Sequence, residues 1–225
     1  MVLVIKFRIR GNLRFLSHAE MLKVFQRACA RSGLNIEHTQ GFNPRPRLSL
    51  PLPKSVGVEA EEDLLCVRVD CDDPFAPDGA NDARAADSAL RIKAQLSRQL
   101  PRGCELLSVG FAKPDVSLQP CSATYILLIR PEYLKDALKT RIERLLATES
   151  LHIERQTGEK NSKFKNVDVR PFVKSIELDD RGIVVECKIS PAGSIRLDEI
   201  LRLLELDVEK LAAPVRRTTI QWKSN

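Results

Sequence analysis

The chain has 225 residues, of which 43% are hydrophobic and 29% charged, with a net charge of +6. That is the composition of a folded, water-soluble chain and not of a disordered one. No apolar run approaches the roughly 18 residues of a membrane span; Tyr125–Ile129 reaches five. Met1–Arg10 has no long apolar stretch ending in a small-residue cleavage site, so a cytoplasmic chain without a membrane partner is expected.

Leu3–Arg10 alternates and predicts a strand, with Gly11-Asn12 as the turn after it. Ser17 and Glu20 form a capping-box signature that opens a helix running to about Arg31, with Gly33 as its C-terminal cap and Leu22, Phe25 and Cys29 on the buried face. Leu48–Leu52 predicts an edge strand, because Pro51 is not tolerated in a central one. Asp63–Asp70 predicts the next strand, and a polar loop follows from Cys71 to Asp82. Arg84–Leu100 predicts a helix with Ala86, Ala89, Leu90, Lys93 and Leu96 at helical spacing, and Glu105–Phe111 a strand. After Lys113–Pro120 the order repeats. The predicted elements are strand Ser122–Arg130, helix Glu132–Ala147, short strand Leu151–Gln156 with a turn at Gly158, and long strand Val167–Leu178. Its hairpin partner Ile183–Ile189, helix Ile195–Leu206 and strand Val215–Trp222 complete the series.

The order is βαββαβ twice, so the expected fold class is α+β, as two ferredoxin-like halves packed in tandem. The expected boundaries are 1–112 for the half with the basic face and 121–225 for the second.

Six cysteines are present without any C-x-x-C pair, which argues against a zinc knuckle, a redox motif or a cluster. Cys29, Cys66 and Cys187 sit among apolar residues and read as core. No metal and no cofactor are expected.

Charge is uneven: Met1–Glu59 carries +7, Ala60–Gly110 carries −4 and the remainder +3. Alternation in the first strand turns Ile5, Phe7 and Ile9 toward the helices and Lys6, Arg8 and Arg10 outward. The same reasoning turns Arg47 and Ser49 outward beside inward Leu48, Leu50 and Leu52, and Arg68 outward beside inward Leu65, Val67 and Val69. The expected result is a basic open sheet face suited to a phosphate backbone. No aromatic pair is expected on that face, so base stacking by the sheet is not. Lys23, Arg27 and Arg31 form a further stripe on the first helix, which reads as a solvated surface.

Two segments are chemically unusual. Ser17-His18 opens a helix, where the positive dipole end favours a neutral imidazole; His18 is either an ordinary first-turn residue or a general base. In Gly41-Phe42-Asn43-Pro44-Arg45-Pro46-Arg47 two prolines stiffen a loop that holds two arginines, as suits phosphate recognition; the alternative is a structural turn. Arg45, Arg47 and His18 are expected to line one concave site.

Four segments in the first half, Leu13–His18, Arg31–Leu34, Gly41–Ser49 and Gly57–Glu59, together with Arg27, resemble an uncharacterised bacterial family linked to radical SAM enzymes. In the second half the resemblance runs through Asp168–Pro171, Gly193–Arg196 and Arg217-Thr218. Family members are typically fused to, or encoded beside, a radical SAM protein, at times near a ribonuclease E/G-type gene. The family often has histidine where Arg45 stands and proline where Leu197 stands. This chain has no radical SAM cysteine motif, so the resemblance implies a partner and not the catalyst.

The leading expectation is a non-catalytic RNA-binding accessory protein that works with a separate radical SAM enzyme in RNA modification. One alternative is a metal-independent endoribonuclease similar to CRISPR repeat-processing nucleases, with His18 as base and Pro191–Ser194 as the glycine-containing loop. Another is a protein–protein module, since Tyr125–Ile129 is apolar on both faces.

Overall fold

A computed structural model describes residues 1–70, 83–157 and 163–224. The predicted Cys71–Asp82 loop and the turn at Gly158 lie outside these residues. The chain divides into two units, Met1–Gln119 with the chain end from Trp222, and Pro120–Gln221.

In the first unit the alternating segment Val2–Ile9 forms strand β1. Ser17 caps helix α1, His18–Ser32: its side chain accepts the Glu20 N–H, and the Glu20 carboxylate accepts the Ser17 N–H at 2.8 Å. Gly33 ends the helix at φ 75°, a conformation glycine adopts without steric cost. The chain continues through the two-residue strand β2, Leu48–Ser49, then β3, Glu59–Arg68, helix α2, Ala83–Ser97, and β4, Cys104–Ala112. The sheet order is β4-β1-β3-β2, antiparallel at each pairing, which is the ferredoxin-like arrangement. Both helices cover one face. Leu3, Ile5, Phe7, Ile9, Leu65 and Val67 are buried there against Phe25, Cys29, Ile92 and Leu96. Phe7 and Phe25 meet edge to face with ring centroids 4.7 Å apart.

Two buried stripes differ from expectation. On α1 Met21 is buried where Leu22 was expected. On α2 Ala85, Ile92 and Leu96 are buried, whereas Leu90 is exposed. Strand β3 begins four residues earlier than predicted, because Glu61 and Glu62 face outward and find cationic partners on β1.

The second unit has the same plan with an insertion. Its elements are β5, Leu118–Leu128, and α3, Asp136–Ala147, then β6, His152–Thr157, and β7, Lys163–Asp168. There follow β8, Val173–Leu178, β9, Gly182–Lys188, α4, Leu197–Leu203, and β10, Arg216–Ser224. The main sheet runs β10-β5-β9-β8, and β6 and β7 form a separate two-stranded ribbon. The predicted long strand Val167–Leu178 is therefore two strands in two sheets, broken by the helical turn Arg170–Phe172 around Pro171. The predicted Ile195–Leu206 helix is only seven residues, and Leu134 lies before α3.

Among the described residues no helix is long and apolar enough to cross a membrane.

Candidate functional site

The outward face of β1 is not one-signed. Arg8 Nε stands 2.8 Å from Glu61 Oε2, and Arg8 Nη1 donates to Glu105 Oε2 at 3.1 Å. Arg10 Nη2 donates to the Glu61 carboxylate at 3.1 Å, and Lys6 Nζ lies 4.0 Å from Glu62. Antiparallel registry brings these carboxylates in from β3 and β4. Toward the other end the same face carries Val2 and Val4 on β1, opposite Arg68 and Cys66 on β3. Each of the three β1 cations thus has an acidic partner, and the expected basic surface at Lys6, Arg8 and Arg10 is electrically compensated.

The arginines of the stiff loop are placed differently. Residues 36–39 and 45–47 run antiparallel: Thr39 N–H donates to the Arg45 carbonyl at 2.8 Å, and Arg47 N–H to the Glu37 carbonyl at 2.7 Å. The Thr39 hydroxyl accepts the Arg45 N–H at 2.9 Å. Gln40–Pro44 is the projecting tip. There Gly41 has φ 129°, and the Phe42 ring is fully solvated at 107% relative exposure. A fully hydrated aromatic at a proline-stiffened tip is a large apolar surface without an internal use. The Arg45 guanidinium has no partner among the described residues.

At the base of this hairpin, Arg47 and Arg68 line one groove of about 400 Å3 together with Ser49, Cys66 and Ser117. The Arg68 N–H donates to the Arg47 carbonyl at 2.8 Å, which fixes the two residues side by side. Arg47 makes one loose ion pair with Glu37 at 3.6 Å. The Arg68 guanidinium has no hydrogen-bond or ion-pair partner among the described residues. Two guanidinium groups and two serine side chains around an open groove suit an anion with several oxygens.

His18 belongs elsewhere. It lines a narrow crevice of about 10 Å3 with Ser17, Lys54, Asp63 and apolar neighbours, and neither Arg45 nor Arg47 is on its wall. His18 and Arg47 therefore line two separate depressions, and Arg45 lines neither of them. The Ser17 hydroxyl donates to Glu20 Oε2 at 2.7 Å and is committed to the helix cap. That bond is the first cause holding the Glu20 carboxyl below the usual carboxylate range. His18 Nδ1 is buried with no hydrogen-bond partner among the described residues. Lys54 Nζ donates to the Arg14 carbonyl at 2.8 Å. A void of this size holds about one water, not a ribose phosphate. Sequence reasoning missed Asp63, although the inward alternation Val69, Val67, Leu65 leads directly to it.

In the second unit the notable motifs stitch the fold. The Asp168 carboxylate accepts the Leu151 N–H at 2.8 Å and the Arg170 N–H at 3.0 Å. The Arg170 guanidinium donates to the carbonyls of Leu146, Thr148 and Val173, each at 3.0 Å, and so closes the C-terminal end of α3. Arg155 Nη2 donates to the Ser194 carbonyl at 2.6 Å, and the Arg196 N–H donates to Glu199 at 2.7 Å. The Pro191–Ser194 loop is thus tied down, with Gly193 facing the Phe172 ring. Arg217 is buried at 1% exposure.

Burial pushes the thiols of Cys29, Cys104 and Cys187 up to about 12, the values of inert core sulfur. Cys66, read as core, is half-buried on the groove wall. Among the described residues no group of three or more His, Cys, Asp or Glu stands together to hold a metal.

No curated protein matches the sequence. Among solved structures the chain is similar to the acetolactate synthase small subunit from Thermotoga maritima, at 13% identity over 100% of this chain and 96% of that one, with a TM-score of 0.23. The stiff hairpin, the capped start of α1 and the Asp168–Pro171 and Gly193–Arg196 stitches all fall within residues 3–198, the span that matches the uncharacterized proteins conserved in bacteria called DUF2344, and the chain belongs to that family.

Proposed function

We propose that the chain is a non-catalytic RNA-binding accessory protein whose contact surface is the Arg47–Arg68 groove and the hairpin above it. The observation that carries this reading is that Arg47 and Arg68, joined by a backbone hydrogen bond, line one groove, and that the Arg68 guanidinium has no partner among the described residues. Phosphate oxygens fit such a pair, and release of their counterions supplies the binding free energy. Arg45 extends the cationic track to the hairpin, and Phe42 offers a face on which an unpaired base stacks. Service to a separate radical SAM enzyme is part of the proposal and rests on the sequence resemblance in residues 13–59 and 168–218.

The test is affinity for single-stranded RNA as a function of salt, with melting curves as control. The double variant Arg47→Glu/Arg68→Glu should lose at least about ten-fold in affinity and show a shallower salt slope. Phe42→Ala should weaken binding with the salt slope unchanged. Equal affinity of a folded Arg47→Glu/Arg68→Glu chain and the wild type would remove the groove from the reading. Co-purification with a radical SAM enzyme, lost or retained on washing with ribonuclease, tests the accessory role.

A further inference from the structure

A further cavity lies in the second unit, apart from the Arg47–Arg68 groove and the His18 crevice. It has about 550 Å3, within the range of small-molecule sites, and lies between α3 and the segment that follows α4. Its charged lining is Arg141, Arg144, Lys210 and Glu205, and Lys210 Nζ is also paired with the Asp207 carboxylate at 3.3 Å, which leaves the two arginines as the cations available to a ligand. Tyr133, 39% exposed, stands on the same wall, and Lys210 Nζ lies 6.0 Å from its ring centroid.

Glu205 is the informative residue. Helix α4 ends with the Leu206 N–H donating to the Leu201 carbonyl at 2.9 Å and the Glu205 N–H to the Arg202 carbonyl at 3.1 Å. This is a Schellman ending, and Glu205 occupies its left-handed position at φ 54°. Glycine is the usual residue there, and Glu205 is the one non-glycine with positive φ among the described residues. The strained backbone aims a carboxylate into the cavity, where it pairs with Arg141. Arg141 Nη1 also donates to the Leu203 carbonyl at 3.4 Å, and Lys210 Nζ to the Glu205 carbonyl at 2.9 Å. Arg144, one helical turn from Arg141, has no partner for its guanidinium among the described residues.

We infer that this cavity binds a nucleoside mono- or diphosphate, with Glu205 as a built-in competitor. The phosphate takes Arg144 and displaces the Glu205 carboxylate from Arg141. The base lies against Tyr133, and the Thr140 hydroxyl is within the same lining for the sugar. A phosphate beside two arginines carries more negative charge than one carboxylate, so the exchange favours the ligand.

The experiment is calorimetric titration of the full chain with AMP, ADP, adenosine and inorganic phosphate, with a melting curve for each variant. AMP or ADP should bind saturably and one to one. Arg144→Ala should weaken that binding by about ten-fold or more. Tyr133→Ala should weaken nucleotide binding but leave inorganic phosphate unchanged. Glu205→Gly should tighten nucleotide binding and melt no lower than wild type, because glycine relieves the left-handed strain. A carboxylate that is merely structural predicts the reverse: lower melting and no gain in affinity. The proposal is overturned by that result, by nucleotide binding that Arg144→Ala leaves intact, or by no saturable nucleotide binding in both wild type and Glu205→Gly. Binding of an RNA oligomer at the cavity without any mononucleotide binding overturns it as well.

Discussion

Arg155 on β6 and Glu199 on α4 meet at two points: Nε donates to Oε1 at 2.7 Å and Nη2 to Oε2 at 2.8 Å. Glu199 is 3% exposed, and its carboxylate also accepts the Arg196 N–H at the start of α4. The inserted ribbon is fastened to α4 through this pair, and Glu199 is the first cause that raises the Arg155 pKa. Removing one partner leaves a buried charge unmatched. Arg155→Met should therefore lower stability by about 3–5 kcal/mol. Replacing both partners in Arg155→Met/Glu199→Leu should recover much of that loss. Urea unfolding of wild type, the single variants Arg155→Met and Glu199→Leu, and the double variant measures the coupling, and additive single effects would contradict a mutual buried pair.

Acid should release the Asp168 staple. The Leu151 N–H, then the Arg170 N–H, hold the Asp168 carboxyl below the usual carboxylate range. The unfolded value is about 3.9, so the contribution is fully present above about pH 4 and is lost as pH falls through the lower folded value. The neutral amide of Asp168→Asn does not titrate. Wild type should lose more in melting temperature between pH 5 and pH 2 than this variant does, once the other lowered carboxyls are taken as common to both. Identical pH profiles would mean that the two N–H bonds carry no differential stability.

Charge reversal on β1 should act on the fold and not on RNA. Arg8 sits between Glu61 and Glu105, so Arg8→Glu brings three carboxylates together across β3, β1 and β4. The expected loss is about 1–2 kcal/mol, since each pair is partly exposed and worth little alone. RNA affinity of the folded variant should stay within about two-fold of wild type. A drop matching that of Arg47→Glu/Arg68→Glu would return β1 to the binding surface.

Local patterns were legible from sequence. Alternation marked β1, and Ser17, Glu20 and Gly33 marked both ends of α1, because each signal lies within one element. The compensation of the basic face was not legible. Arg8 and Glu105 are 97 positions apart, and Arg10 and Glu61 are 51 apart, so only strand registry brings them together. The extension of β3 back to Glu59 was not legible either, because Glu61 and Glu62 find their cations only on β1, across the sheet. The hairpin segment was recognised by its glycine and prolines, yet Phe42 reads as an ordinary apolar residue until the tip is seen to project. The cavity around Arg144 is assembled from α3 and the strained end of α4, and no spacing in the sequence connects them.

Gly182 follows the Asp179-Asp180-Arg181 turn, in which the Asp179 carboxylate accepts the Arg181 and Gly182 N–H groups, each at 2.8 Å. Gly182 pairs with Leu128, and a Cβ added to it meets the Leu127 carbonyl oxygen and lies 3.0 Å from Leu128 Cα. The obstacle is backbone on both counts, so no side-chain rotation relieves it. Leu127 is wholly buried and Ile183 is 1% exposed, so the strands cannot part there without opening the core of the second unit. Gly182→Ala should therefore destabilise by about 2–4 kcal/mol, well beyond the cost of an ordinary surface change. Gly110, with no described residue within 4 Å of an added Cβ, is the control in β4. Gly110→Ala should be neutral within about 0.5 kcal/mol. Guanidinium unfolding of both variants decides the matter: equal midpoints for the two would mean that β9 does not approach β5 as closely as the packing around Leu127 requires.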